Sequence, residues 1–410
     1  MRPIRSKVLS GGLLATAAAL AVAGMAGCGS SNSSSGSGAA ASSSPIVIGE
    51  TSDLAGPTAS YFGGMEEGLT TYVDYLNAHG GIKGQKIKLI SLNDSGDPAS
   101  ASVNYQQLKA DGAVMIIANT YNTASTPLFA LAARDRLPLL VPTLNGGGPT
   151  PYVFGYAPDT PDSMETQLNF AIKYVLKTSV SNVRAAFVSV GDPEITPLVQ
   201  AALNQDLGSG GGKLVDSEAL TPTETSFTVQ ASKIAAAKAN VIITAESAGS
   251  DPIMVKALRA AGVTAPIVGY SFDYADSLLK QLADPGVYNY YYAPDPTTTG
   301  ISALQVMNQR AAAEHMSTAV GPTFTEFYVF GEVLAAALKH CAPNCTGATL
   351  NTALEHNTLG TPTDGLSTTV GFSTTDHSMA ATVQFVHITE PSGDIEKVGP
   401  PVQVSNNAKG

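Results

Sequence analysis

The stretch IVIGETSDLAGPTASYFGGMEEGLTTYVDYLNAHGGIKGQKIKLISLND, residues 46–94, carries two periodicities in succession. Ile46, Val47 and Ile48 form a short β-branched run, the composition of a strand buried within a sheet. Further on, Met65, Leu69, Tyr72, Val73 and Leu76 are spaced four, three, one and three apart, which places them on one face of a helix. Gly80-Gly81 stops that helix, and residues 87–90 begin a second β-run. A strand, a covering helix and a second strand in this order form a right-handed crossover unit, so the two strands lie parallel.

The same alternation extends outward. Asp97-Pro98 supplies the N-cap and first residue of another helix, and residues 114–117 and 139–141 read as further strands. A Pro- and Gly-rich stretch, 146–161, then precedes a second series. Its strands are 183–190, 213–215, 241–243 and 267–269, with helices around 164–176, 198–207, 227–237 and 252–261. Beyond Pro285 come a Tyr-rich strand, 287–292, and helices around 301–316 and 326–339. Residues 383–388 and 398–404 alternate like antiparallel strands and hairpins. The fold class is α/β, with mainly parallel sheets in two halves and extra elements after them. A chain of 410 residues with 44% hydrophobic residues exceeds one ordinary domain, and its apolar clusters exclude wholesale disorder.

The leader is read separately. Arg2, Arg5 and Lys7 precede an apolar stretch, 13–23, too short to span a bilayer comfortably, which is the pattern of an export signal. Met25-Ala26-Gly27-Cys28 follows, then residues 29–44, made only of Gly, Ser, Asn and Ala. Small, small, Cys, polar linker resembles the lipobox of bacterial lipoproteins. That resemblance implies a signal peptide over 1–27, lipidation of Cys28 and a flexible tether over 28–44 with a reach of about 20–25 Å. Loss of the leader leaves 19 Lys and Arg against 33 acids, a net charge of −14, which disfavours nucleic acid and anionic membrane surfaces as partners. Cys341 and Cys345 are a disulfide candidate in an exported protein; a zinc site would need more ligands than His340 supplies locally.

Catalytic signatures are missing. Gly269-Tyr270-Ser271-Phe272-Asp273 lacks the second Gly of a nucleophile elbow. Gly208-Ser209-Gly210-Gly211-Gly212 follows a helix and precedes a strand, the reverse of a phosphate cradle. Asn93, Asp94 and Asp97 lack the later carboxylate of a calcium loop, and Asp97 reads more simply as a helix cap. Neither metal nor cofactor is expected. Three polar loops, 54–61, 119–126 and 143–145, follow the carboxyl ends of expected parallel strands, where open α/β sheets bind ligands.

An ordered set of short segments carries a wider resemblance. It comprises Ile46-Val47-Ile48-Gly49 with Asp53-Leu54-Ala55-Gly56-Pro57, then Asn77-Ala78-His79-Gly80-Gly81-Ile82-Lys83-Gly84-Gln85-Lys86-Ile87, then Asp94 with Asp97-Pro98. Arg136-Leu137-Pro138-Leu139-Leu140-Val141-Pro142, Pro151-Tyr152-Val153-Phe154, Ala260-Ala261-Gly262-Val263 and Ala265-Pro266-Ile267-Val268-Gly269 continue it. The chain resembles the type I periplasmic solute-binding proteins of branched-chain amino-acid importers. The resemblance implies two Rossmann-like lobes joined by three crossover segments, with a ligand cleft between them. The implied division is lobe one at 45–157, lobe two at 158–288, lobe one again at 289–372, and lobe two with the tail at 373–410.

By position, the resemblance implies Tyr61, Asn122, Thr123, Thr143, Leu144 and Asn145 as ligand-binding residues of lobe one. In lobe two the matching places are Glu194, Glu246, Ser271 and Asp273; the family's aromatic pair is absent there. Tyr270, Phe272 and Tyr274 either line the cleft or pack into lobe two, and Tyr288 and Tyr290 to Tyr292 are expected to pack near a crossover. The implied protein is not an enzyme. The resemblance implies a monomeric receptor, tethered to the membrane by lipid, which takes a small organic solute, amino-acid-like or otherwise amphipathic, to the permease subunits of an ABC importer. A sensory receptor of the same fold, or a cleft hydrolase, is the alternative.

Overall fold

The computed structural model describes residues 44–56, 59–144, 150–193, 195–221, 224–245, 250–269, 276–294, 296–318, 321–356, 366, 371–379, 382–389 and 393–404. The first layer is built from β1 (Ile46–Ser52), α1 (Ala59–Ala78), β2 (Ile87–Asn93), α2 (Pro98–Ala110), β3 (Ala113–Asn119), α3 (Asn122–Ser125), α4 (Pro127–Asp135), β4 (Leu139–Thr143) and β5 (Val153–Ala157). Its five strands pair in parallel in the order β2-β1-β3-β4-β5. Order reverses at β1, so crossover helices cover both faces. Alternation sorts the side chains: Ile46 and Ile48 enter an apolar cluster with Met65, Leu69 and Val73 of α1. Val47 packs against a second cluster with Tyr105 and Leu108 of α2 on the opposite face.

The second layer holds α5 (Thr160–Phe170), β6 (Arg184–Ser189), α6 (Ile195–Ser209), β7 (Lys213–Ala219), α7 (Thr228–Ala237), β8 (Val241–Ala245), α8 (Asp251–Ala260), β9 (Ile267–Val268), α9 (Asp276–Leu282) and β10 (Val287–Tyr291). The chain then returns to the first layer with α10 (Ser302–Ala313), α11 (Pro322–Cys341) and α12 (Gly347–His356), whose buried side chains join the cluster around α1. It ends in the second layer with β11 (Thr382–Ile388), β12 (Ile395–Lys397) and β13 (Val402–Gln403). The second sheet runs β12-β11-β10-β9-β8-β6-β7, with β13 on β11; pairs from β6 to β10 are parallel and those of β11 are antiparallel. The chain therefore passes between layers three times. On the last passage Met379 N donates to Gly155 O at 2.8 Å, and buried His377 stacks on Phe154 with ring centroids 4.4 Å apart.

Several expectations shift. The Pro- and Gly-rich stretch 146–161 contains β5, all five of whose residues are buried. Gly155 is small because Leu144 N crowds the place where a Cβ would stand, at 3.1 Å. The expected strand 398–404 shortens to β13, with β12 ending before it, since Pro400-Pro401 cannot donate to a ladder. The loop expected at 119–126 coils into α3. β10 stays in the second sheet through Tyr291, so the expected lobe boundary at 288/289 cuts a strand. Tyr290 is buried on Phe385, Tyr288 stacks on His387, and Tyr292 touches the apolar clusters of both layers. A disulfide joins Cys341 and Cys345, with Cα atoms 4.7 Å apart, between α11 and α12.

Candidate functional site

In a parallel sheet every strand ends on the same edge, and here that edge is polar. Glu50, Thr51, Ser52 and Asp53 at the end of β1 are all buried. Asp94, just past β2, ties three loops together. Thr51 Oγ1 donates to it at 2.7 Å, Thr120 Oγ1 at 2.9 Å and Gly96 N at 2.8 Å, while Asn104 Nδ2 donates to Thr51 Oγ1 at 3.1 Å. Burial pushes the Asp94 carboxyl up despite those bonds. Asp97 behaves differently: its exposed carboxylate accepts from Ser100 N at 2.7 Å as the cap of α2, and that bond holds its pKa down. Among the described residues no three His, Cys, Asp or Glu side chains gather as a metal cage.

The other face of the same edge is less self-sufficient. Glu50 and Ser52 share the side of β1 that carries Ile46 and Ile48, so they lie beneath α1 and α11. Asn119 Nδ2, from the end of β3, donates to Glu50 Oε1 at 2.6 Å. Tyr156 of β5 is buried, donates its hydroxyl to Met65 Sδ at 3.4 Å and is hydrogen-bonded by Tyr61. Glu326, in the first turns of α11, lies close enough to Tyr156 to raise its pKa further, as does Glu50. Burial pushes both Glu50 and Glu326 up to about 8, so at neutral pH each is largely the uncharged acid. Among the described residues, the buried polar atoms without a hydrogen-bond partner include Ser52 Oγ and Asn119 Oδ1 at the ends of β1 and β3, and Thr325 Oγ1 and Glu326 Oε1 in the first turns of α11. Such a concentration marks a place where water or a solute completes the bonding.

α11 reaches this depth because Gly68 of α1 has no side chain; a Cβ there would collide with the Phe324 carbonyl. The second layer shows a related edge. The Gln167 carboxamide, oriented to donate, reaches Val268 O at 2.9 Å and Thr244 O at 3.3 Å. Ser163 Oγ, Asp251 Oδ1 and both side-chain polar atoms of Asn289 are buried without partners, and burial pushes Asp251 up to about 8. Ser189 and Thr196 hydroxyls pair at 3.1 Å where β6 gives way to α6.

Charge is sorted along the chain in the same sense. The segments running on from the carboxyl ends of the strands, 50–61, 91–104, 119–128, 143–161, 189–200, 219–230, 244–255 and 269–279, contain no Lys or Arg, nor does 311–338 around the start of α11. Among the described residues the arginines in ion pairs are Arg259 with Asp284 at 2.6 Å and Arg134 with Asp135 at 2.8 Å, while Arg310 of α10 donates to the Tyr328 hydroxyl of α11 and stands over the Tyr75 ring of α1.

Of the residues expected to bind ligand, Tyr61 stands in the first turn of α1 rather than in a loop, edge-on to Phe62 and bonded to Tyr156. Asn122 and Thr123 open α3; Asn122 Oδ1 is buried without a partner, whereas Thr123 is exposed. Thr143 is buried at the end of β4, and the Leu144 side chain enters the apolar cluster on the α2 face. Asn145, Glu194, Glu246, Ser271 and Asp273 lie outside the described residues, as does Cys28. Glu50, Tyr156, Glu326, Asp251 and Asn289 were not anticipated, and Asn119 only as the first residue of the polar loop 119–126. The available signal was an acid at a core-facing position: Glu50 in phase with Ile46 and Ile48, and Glu326 inside the apolar run 324–330.

A family model described as "Periplasmic binding protein" matches residues 45–394. The Leu/Ile/Val-binding protein BraC3 of Rhizobium johnstonii is 25% identical over 224 residues, covering 55% of this chain and 60% of the relative. The chain thus spans about 60% of the length of the curated relatives it matches. The crystal structure of an ABC transporter substrate-binding protein from Aeropyrum pernix superposes with a TM-score of 0.77 at 18% identity, over 89% of this chain and 97% of that one. A branched-chain amino-acid transporter substrate-binding protein from Streptococcus pneumoniae, in complex with isoleucine, gives 0.69 at 16% identity, over 88% and 99%. At these identities the structures share the fold.

Proposed function

The chain belongs to the periplasmic binding protein family, and from that premise we propose that it is an extracytoplasmic receptor that closes two α/β lobes over a small organic solute and passes it to the permease of an ABC importer. The observation that carries this reading is the row of buried, incompletely bonded polar atoms at the carboxyl edges of both sheets. Catalysis would need an activated nucleophile with a base in reach; these groups are hydroxyls, carboxamides and neutral acids, suited to holding rather than attacking. Hinge closure around ligands is the established behaviour of periplasmic binding proteins and is taken over here as such. The solute class extends from the branched-chain amino acids named for the relatives to other small amphipathic molecules.

Thermal-shift screening with amino acids, amides, aromatic acids and sugars tests the binding role, because a ligand at 100 times its Kd adds about 2.7 kcal/mol of stability. Tyr61→Ala and Thr143→Ala are expected to remove the shift while leaving the free protein folded; binding retained in both would mean the solute sits elsewhere. Transport by a reconstituted permease separates import from sensing. The lipid tether at Cys28 is part of the same proposal, since two acyl chains hold a protein at a membrane where one is marginal. Among the described residues no helix is long and apolar enough to cross a membrane. Cys28→Ser should release the protein from the membrane fraction, and unchanged retention would remove the tether from the account.

A further inference from the structure

We infer that the amino edge of the first layer, opposite its carboxyl edge, is a basic face that seats the tethered protein on the anionic headgroups of its membrane. The inference rests on the lipid tether at Cys28 proposed above and adds to it the orientation in which the body is held.

In a parallel sheet with crossover helices, every strand starts and every helix stops at this edge. The body of the protein starts here too: Ser44 O, just ahead of β1, accepts from Gln85 Nε2 at 2.9 Å. Residues 29–44 separate that point from Cys28, a reach of about 20–25 Å, so the end of the molecule that the tether leaves is the end held near the lipid. The lack of Lys and Arg at the carboxyl edge has its counterpart here. Lys83, Lys86 and Lys88 follow α1, Lys109 closes α2, Arg134 and Arg136 lie at the end of α4, and Lys339 lies in the last turn of α11; all are exposed. Contacts join them into one surface. Lys83 Nζ donates to Ala342 O at 2.9 Å, in the turn that Cys341 and Cys345 staple, and a Cβ on Gly347, where that turn enters α12, would meet Arg136 O.

Helix capping and ion pairing account for part of this charge. Lys83 and Lys86 donate to the terminal carbonyls of Ala342 and Asn77, and Asp135 is shared by Lys109 at 2.9 Å and Arg134 at 2.8 Å. Lys88, Arg136 and Lys339 are left over, because among the described residues their side chains make neither a hydrogen bond nor an ion pair. The acids toward this end are the exposed Asp111 after α2 and, on the flank of α1, Asp74 beside Glu314. Exposed cations set along an edge complement a plane of phosphates, and they act within a Debye length of it, about 8 Å at physiological salt. The tether brings them into that range. The net charge of −14 repels the whole molecule from such a surface at a distance, but the acids are sorted to the other side. Glu66 and Glu67 of α1 and Asp97 before α2 stand toward the carboxyl edge, so repulsion there and attraction here favour the same orientation. The second layer has cations at its own amino edge, Arg184, Lys213 and Lys238 among them, but the tether does not leave from that layer. Seated on lobe one, the protein turns its solute-collecting edge away from the lipid.

The test uses the lipidated protein in vesicles of phosphatidylcholine, with and without about one-third phosphatidylglycerol, and reads the acetylation rate of each lysine by mass spectrometry. On the anionic vesicles Lys86, Lys88 and Lys339 should react more slowly by on the order of fivefold, while Lys213 and Lys238 keep their rates. Salt at about 1 M, where the screening length is about 3 Å, should remove the difference. The combined substitution Lys88→Glu, Arg136→Glu and Lys339→Glu changes exposed side chains, and its melting curve reports its folding. It should stay on the vesicles yet lose the slowing at Lys86. Protein retained on both kinds of vesicle with equal rates throughout would overturn the basic seat and leave the tether standing. Slowing that persists at high salt, or that falls equally on Lys213 and Lys238, would likewise overturn the seat. Protein that sediments with neither kind of vesicle would overturn the tether, and the seat with it.

Discussion

Glu50, Glu326 and Asp251 each cost the fold something at high pH. All three are buried, and all three are pushed up to about 8 from the ordinary carboxyl range. In the unfolded chain they lose their protons near the ordinary values of 4.5 for Glu and 3.8 for Asp, while the folded chain keeps them until about pH 8. Between those limits the folded state binds more protons, so stability falls as pH rises, by roughly 1 kcal/mol per pH unit for each group. Melting temperatures are therefore expected to decline from pH 5 to pH 8, with a shallower decline in Glu326→Gln; a flat or rising profile would show that these acids are ionised in the folded protein. Little of this was legible beforehand. A strand such as IVIGETS announces itself by its β-branched start, yet only the structure reveals that Glu50 is met by the Asn119 carboxamide.

The elements themselves were legible where one physical signal dominated. Strand β1 and helix α1 follow from a β-branched run giving way to a helical repeat, and Asp97-Pro98 marked the start of α2 where the structure has its cap. β5 escaped because Gly155 and the surrounding prolines disguise five buried residues as a loop, and only pairing with β4 makes them a strand. Helix α1 offers a direct test of how closely such elements approach. Gly63 faces open space, so Gly63→Ala should stabilise the protein by up to about 1 kcal/mol through helix propensity. Gly68 faces the Phe324 carbonyl, so Gly68→Ala should instead destabilise by about 1–3 kcal/mol as α11 is forced outward. Chemical denaturation of the two variants compares them; equal effects would mean that α1 and α11 are not locked at that glycine.

At the scale of the molecule, three passages of chain between two sheets make a bending motion possible without breaking either core, because, Tyr292 apart, the apolar clusters of the described residues each draw on one layer. Tyr292 and the His377 segment lie where those passages run, Tyr292 against the apolar clusters of both layers and His377 stacked on Phe154 and bonded to Val153 O. Closure becomes ligand-driven only if the solute binds the closed form more tightly, and a swing from 1:99 to 99:1 needs about 5.5 kcal/mol of difference. Polar atoms left open on both sheet edges can supply it, since a solute bridging them satisfies groups that neither layer satisfies alone. Small-angle scattering should accordingly show a smaller radius of gyration when a stabilising solute is added, and Tyr61→Ala should leave the particle at its ligand-free dimensions. A solute that raises the melting temperature without any contraction would confine recognition to one layer, and the two edges would then have to be assigned separate tasks.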